Sequence, residues 1–256
     1  MKQTYAIAIP SYRRPSILLQ KTLAMLRSAK IPLTRVHVFV ADDEDFSAYK
    51  AALPPQVRII KGVKGITPQR RFISTYFPEG THVVSIDDDV ETVYRLVNGK
   101  LNAIIPELDG FFKNAFKECK KNKRFIWGVY PTPNPFYMKA RAPISTDFKF
   151  ILGTFFGYIN RHDPSLVPTV AEKEDFEVSA LYSLKDGGTL RFNDVCIKTR
   201  FHNATGGLGA FKDRLETNEI AAKTLVTKYP DMFRIKVRKN GMYEVAVRRW
   251  RPPASP

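Results

Sequence analysis

The chain has 256 residues, 44% of them hydrophobic and 12% aromatic, which is enough to bury a core as one domain or one domain with an appendage and excludes a disordered or low-complexity protein. Its two cysteines, Cys119 and Cys196, lack Cys-x-x-Cys spacing, so they read as small buried hydrophobes and exclude zinc or disulfide scaffolding. The formal charge of +16, from 41 Lys and Arg against 25 Asp and Glu, points first to a polyanionic partner, nucleic acid, with solubility alone as the plain alternative and an anionic membrane surface behind both.

Along the first 90 residues, short β-branched runs alternate with helical patterns. Strands are predicted at 5–9, 36–40, 57–60 and 83–86, and helices at 16–28, 46–52 and 67–76. This alternation predicts an α/β fold, a mostly parallel central sheet flanked by helices, with ligands gathered at the carboxyl ends of the strands. Further on, Asn98-Gly99 marks a hairpin turn, 106–121 a helix, 125–130 a strand and PTPNP at 131–135 an exposed loop. Residues 148–160 read as strand, 174–183 as helix, 191–199 as strand and 211–228 as a helix stopped by Tyr229-Pro230. A hairpin around Asn240-Gly241 and a Pro-rich tail complete the chain. The apolar run at 150–159 is far short of the roughly 20 residues of a membrane span, and the N-terminus lacks a signal-peptide core, so the expectation is a cytoplasmic protein without membrane contact.

Three predicted strand ends carry polar or charged residues: Pro10-Ser11-Tyr12-Arg13-Arg14, Asp42-Asp43-Glu44-Asp45, and Asp87-Asp88-Asp89. Clustered carboxylates after an apolar strand (HVVSI, 82–86) place hard oxygen ligands in one small volume, which suits Mg2+ or Mn2+ completed by substrate phosphates. The plain alternative is a solvated turn or helix cap. Arg70 and Arg71 precede that strand on a helix, adjacent and hence aimed at different faces, one toward carboxylate or diphosphate and the other toward solvent. Glu174 and Asp175 open a helix, where they serve either as a general base or as an acidic first turn that complements the helix dipole. His202 lies in RFHNATGGLG (200–209), where an imidazole can complete a metal shell and Gly206-Gly207 lets backbone approach a diphosphate, though a lone histidine is usually structural. His37, His82 and His162 have no such context. The basic charge concentrates at 117–124 (KECKKNKR), 234–239 (RIKVRK) and 248–251 (RRWR), the last with an aromatic suited to unstacked bases.

Taken in order, AIPSYRRP (8–15), VFVADDED (38–45), GITPQRR (65–71), SIDDDVE (85–91), EKED (172–175) and FHNATGG (201–207) resemble a GT-A fold nucleotide-sugar glycosyltransferase over residues 4–210. On that resemblance residues 1–210 form the transferase domain, with 211–256 a helix, hairpin and basic tail packed on it. Small size, the triple aspartate and the basic charge further resemble the base J glucosyltransferase and TET-associated glycosyltransferase group of kinetoplastids and bacteriophages, which transfer a sugar to the hydroxymethyl group of a modified pyrimidine in DNA. The resemblance implies a UDP-sugar donor, with Pro10, Ser11 and Asp42 toward its nucleoside and Arg13 among the donor-binding residues. It implies Arg70 or Arg71 on the diphosphate with Gly206 and Gly207 nearby, Asp87 on the sugar or ribose with Asp88 also donor-binding, and Asp89 on the metal. Asp87 and His202 are further candidate metal ligands, and Asp175 or Glu174 is the implied base. The helix signature of processive polysaccharide synthases is absent, which counts against a polymer synthase. The expected activity is metal-dependent, inverting transfer of a sugar, glucose in the first instance, to 5-hydroxymethylcytosine or 5-hydroxymethyluracil in DNA. Its rivals are transfer to another acceptor, a non-catalytic nucleic-acid-binding module and nucleotidyl transfer.

Overall fold

The computed structural model describes residues 4–199, 215–238 and 241–252. In chain order the elements are β1 (Ala6–Pro10), α1 (Pro15–Gln20), α2 (Thr22–Ser28), β2 (Val36–Val40), α3 (Asp43–Ala52), β3 (Arg58–Lys61), α4 (Ile66–Tyr76), β4 (His82–Ile86), β5 (Thr92–Val97), β6 (Lys100–Ala103), α5 (Leu108–Lys121), β7 (Ile126–Tyr130), β8 (Ile144–Ser145), β9 (Phe155–Ile159), α6 (Glu174–Asp186), β10 (Leu190–Lys198), α7 (Leu215–Lys228), β11 (Phe233–Val237) and β12 (Tyr243–Val247). The large sheet runs β3-β2-β1-β4-β9-β7-β10-β5-β6, with β8 beside β10. Its four N-terminal strands are parallel, as the alternation predicts, and β7 and β10 are parallel as well. Strand β9 runs antiparallel between β4 and β7, and β5 and β6 close the far side antiparallel.

Period-two alternation sorts the side chains of the inner strands onto two cores. Ile7, Ile9, Val84, Ile86, Trp127 and Val129 face one helical layer with Phe111, Phe112 and Phe116 of α5, while Ala8, Phe39, Val83 and Ile126 face the other with Ile73 of α4 and Tyr182 of α6. Gly157 of β9 is required by this packing, because a Cβ there would lie 2.4 Å from the Trp127 ring. Both cysteines are buried and free. His82 stacks on Phe116 at 4.4 Å, and burial lowers its pKa to about 4, with Lys120 adding to the effect. A third cluster joins Ala222 and Leu225 of α7 and Phe233 and Val245 of the β11–β12 hairpin to Phe148, Val170 and Ala180, so the C-terminal elements rest on α6. Among the described residues, no helix is long and apolar enough to cross a membrane.

Departures from the predicted elements have local causes. The helix predicted at 16–28 breaks at Lys21, and the break sets Thr22 against the aspartate loop, where its hydroxyl donates to the Asp87 carbonyl (2.7 Å) and accepts from Val90 N–H (3.0 Å). Helix α3 starts three residues before its predicted start because Asp42 caps it, accepting from Asp45 N–H at 2.9 Å. Of the strand predicted at 148–160 only Phe155–Ile159 forms. The N–H groups of Lys149, Ile151 and Gly153 go instead to side chains, those of Thr189, Ser179 and Asp175, so this stretch pairs with no strand.

Candidate active site

The order β3-β2-β1-β4 reverses direction at β1, since β2 and β3 build out on one side and β4 is laid down on the other. The carboxyl ends of β1 and β4 therefore flank a crevice, the place where open α/β sheets bind ligands. Pro10 ends β1, buried, and Ser11 follows it with its N–H on the Phe39 carbonyl (3.0 Å). Asp87, Asp88 and Asp89 follow β4. Because β9 is antiparallel, its entry segment reaches the same edge, where Asp87 N–H donates to the Thr154 carbonyl (2.9 Å). The end of β10 arrives there too, with Thr199 Oγ1 donating to Asp89 Oδ1 at 2.9 Å.

The three aspartates have three environments. Asp88 is fully buried and points at β1, where Arg14 grips it through Nε (3.2 Å) and Nη2 (2.6 Å) while Ser11 Oγ donates at 2.5 Å. Tyr49 OH contacts Ser11 Oγ (2.6 Å) and accepts from Arg14 N–H (2.9 Å). Asp88 and Ser11 thus lock the two strand ends together, and Asp88 offers no free oxygen to a ligand. Burial still raises the Asp88 pKa to about 6, against the pull of Arg14 and Ser11. Asp87 faces the opposite way. Its Oδ1 is buried with no hydrogen-bond partner and lies 3.6 Å from Arg70, and burial, with Asp89, Asp88 and Glu174 adding like charge, raises its pKa to about 7 despite Arg70. Asp89 is partly exposed, held by Thr199 and 4.0 Å from Arg14.

Arg70 joins this cluster to the start of α6. Its Nη1 lies 3.2 Å from Glu174 Oε1, and its Nη2 donates to the Gly153 carbonyl at 2.8 Å. A Cβ at Gly153 would sit 2.6 Å from the guanidinium, so glycine leaves the room Arg70 occupies. Asp175, the next residue, accepts from Gly153 N–H (3.2 Å) and Phe176 N–H (3.0 Å). Burial and then the Glu174 charge raise its pKa to about 7, with Arg70 opposing. Arg71, one position on from Arg70, is exposed. Two loops that assemble the site hold a non-glycine residue in the left-handed region, Arg13 (φ 55°) and Lys173 (φ 58°), a local cost on the order of 1–3 kcal/mol each that the surrounding contacts must offset.

Pro10, Ser11, Arg70, Asp87, Asp88, Asp89, Glu174 and Asp175 are thus brought to one edge. Arg13 is exposed beside Glu44 (3.7 Å), although its N–H donates to Asp45, and Asp42 is occupied as the α3 cap. His202, Gly206 and Gly207 lie outside the described residues. Sequence reasoning missed Arg14, Tyr49, Thr22, Gly153 and Thr199. For Arg14 a signal existed: the middle of three aspartates after a strand turns away from its neighbours, and a buried carboxylate there requires a cation from the adjacent strand end. A divalent cation fits Asp87 and Asp89, because Asp87 carries an orphaned buried oxygen in a carboxylate-rich, proton-retaining environment. Among the described residues no three His, Cys, Asp or Glu side chains converge to hold a metal.

No family model matches the chain, and no curated protein does. Solved structures that resemble it include one described as mannose-1-phosphate geranyltransferase from Thermus thermophilus (13% identity, TM-score 0.44, 77% of this chain and 76% of that one). A mannose-6-phosphate isomerase from Helicobacter pylori (9%, 0.38, 96% and 87%) and the glycosyltransferase GlyE of Streptococcus pneumoniae (11%, 0.29, 61% and 34%) also superpose. All three scores lie below 0.5, and these likenesses carry no weight on function.

Proposed function

We propose that the protein is a metal-dependent glycosyltransferase that moves a sugar from a UDP-sugar to the hydroxymethyl group of a modified pyrimidine in DNA. The observation that carries this reading is the Arg70 bridge, with one guanidinium 3.6 Å from Asp87 and 3.2 Å from Glu174, which draws a cation-ready carboxylate pair and a proton-accepting carboxylate to one crevice. Asp87 and Asp89 would hold Mn2+ or Mg2+, which when bound neutralises charge on a departing diphosphate. Glu174 fixes Arg70, and Arg70 supplies positive charge at the donor side. Asp175 accepts the proton of the acceptor hydroxyl as its oxygen bonds to the anomeric carbon and the bond from that carbon to the diphosphate oxygen breaks, its electron pair leaving with UDP. A raised pKa keeps such a base competent near neutral pH. The net charge of +16 supports a polyanionic acceptor.

The test is to incubate the protein with UDP-glucose, Mn2+ and DNA containing 5-hydroxymethylcytosine or 5-hydroxymethyluracil, digest to nucleosides and measure mass. Addition of one hexose is expected. Absence of any hexose on either base, across several sugar donors, would sink the DNA assignment, and donor hydrolysis that persists without DNA would leave a transferase with another acceptor.

A further inference from the structure

The C-terminal hairpin places charge by strand alternation. Phe233 of β11 and Val245 of β12 turn inward onto α7 and α6, while Arg234 and Lys236 of β11, and Arg238 just after it, are exposed. Across the ribbon Arg234 pairs in register with Ala246 and Lys236 with Glu244, and Arg248 just beyond β12 is exposed as well. Glu244 is the one acid within the two strands, and it is engaged by Arg238. Among the described residues no ion pair engages Arg234 or Lys236, nor Arg249 or Arg251 in the tail that follows. Basic residues of α5 are mixed: Lys113 pairs with Asp109 and Lys121 lies 3.9 Å from Glu118, while among the described residues no ion pair engages the exposed Lys117 or Lys120, which makes those two the matched control for the ribbon.

The ribbon is also tied to the site. Phe233 packs edge-on against Phe176 (5.8 Å between centroids), and Phe176 follows Asp175 directly in the first turn of α6. Trp250 docks on Phe148 at 5.9 Å, which pins the basic tail to the same cluster. A two-stranded β-ribbon, with strands about 4.8 Å apart, enters the roughly 12 Å wide major groove of B-DNA.

Resting on the DNA reading of the site above, we infer that the outer face of the β11–β12 ribbon is the duplex-docking surface, its Arg234 and Lys236 gripping phosphates at the major groove. The ribbon thereby makes double-stranded DNA the acceptor. An A-form RNA duplex, whose major groove is deep and narrow, does not admit it.

The probe is an end-labelled 20-base-pair DNA duplex, followed by fluorescence anisotropy with the full chain over a salt series. Each neutralised phosphate contributes a slope of about −0.9 to log K against log salt, so the double variant Arg234→Ala/Lys236→Ala should flatten the slope by about 2. The charge-keeping pair Arg234→Lys/Lys236→Arg should retain the slope, which separates lost contacts from lost folding. Lys117→Ala/Lys120→Ala on α5 removes equal charge and should leave the slope unchanged. Binding by wild type with an undiminished slope in the ribbon variant, or an equal loss in the α5 variant, overturns the ribbon and leaves the DNA reading standing. Wild type that binds the duplex without salt dependence, or not at all, overturns both. RNA duplex of the same sequence should bind more weakly, and equal affinity with equal ribbon dependence overturns groove docking.

Discussion

Asp175 and Glu177 stand two residues apart in the first turn of α6, and the structure gives them opposite chemistry. Glu177 is fully buried yet richly served, accepting from Thr169 N–H (2.6 Å), Val170 N–H (2.9 Å), Lys228 Nζ (2.6 Å) and Tyr229 OH (3.1 Å). Burial acts to raise its pKa, but Lys228 and the backbone donors outweigh burial and hold it below the ordinary value. Asp175 has two weaker backbone bonds and a second carboxylate beside it, so burial and Glu174 prevail and its pKa rises to about 7. An acidic first turn can therefore contain both a strut and a proton acceptor, and the difference lies in how many donors reach each carboxylate. The aspartate loop divides by partners too, with Asp88 gripped by Arg14 and Ser11 while Asp87 keeps an unpartnered oxygen, although there burial raises both pKa values.

The comparison breaks most sharply on activity. Asp175→Asn should lower sugar transfer, measured as kcat/KM on hydroxymethylated DNA, by roughly 10²- to 10⁴-fold, the usual worth of a positioned general base, without lowering the thermal midpoint. Glu177→Gln, which keeps the size and loses the charge, should leave the rate per folded molecule close to wild type. A rate loss in Glu177→Gln that matched Asp175→Asn would erase the distinction. The next effect is on stability, in the reverse order. In Glu177→Gln the amide can keep its oxygen on the Thr169 and Val170 N–H groups but sets its own N–H against the exposed Lys228 and against Tyr229, so the charge-assisted bond is lost and urea unfolding should show a loss of about 1–3 kcal/mol, against little change for Asp175→Asn.

Much of this was legible in the sequence. The alternating fold, the three polar strand ends and the split between Arg70 and Arg71 follow from periodicity and from helix geometry, and the structure places them accordingly. The division of labour within each cluster was not legible. Asp42 also caps α3 through one carboxylate oxygen, and Arg14 carries the contact that adjacency shared equally with Arg13, because Arg13 takes the left-handed backbone and is exposed. The donors to Glu177 come from residues 7, 8, 51 and 52 positions away (Val170, Thr169, Lys228, Tyr229), and Asp175 leans on Gly153, 22 positions back, so only the assembled packing fixes either pKa.

The smallest effect, and the one that tests the cause, is the pH dependence of stability. A carboxyl whose folded pKa is raised contributes stability in full below its unfolded value and loses it as pH climbs through the folded value. For Asp175 and Asp87 that loss spans from about pH 4 to just above 7. Glu177, with a lowered pKa, contributes fully above its ordinary value and loses stability only as pH falls below it. Between pH 5 and 8 the carboxyls of Asp175, Asp87 and Asp88 should therefore pull the wild-type stability down, while His82, held neutral by burial with its pKa lowered to about 4, adds a rise below about pH 6.5 that the variants share. Asp175→Asn should remove part of that decline, on the order of 1–2 kcal/mol by urea unfolding at the two pH values. Glu177→Gln, though less stable throughout, should keep the wild-type decline in that window. A decline unchanged in Asp175→Asn would mean that its carboxyl is already ionised at pH 5, and the contrast with Glu177 would then rest on geometry alone.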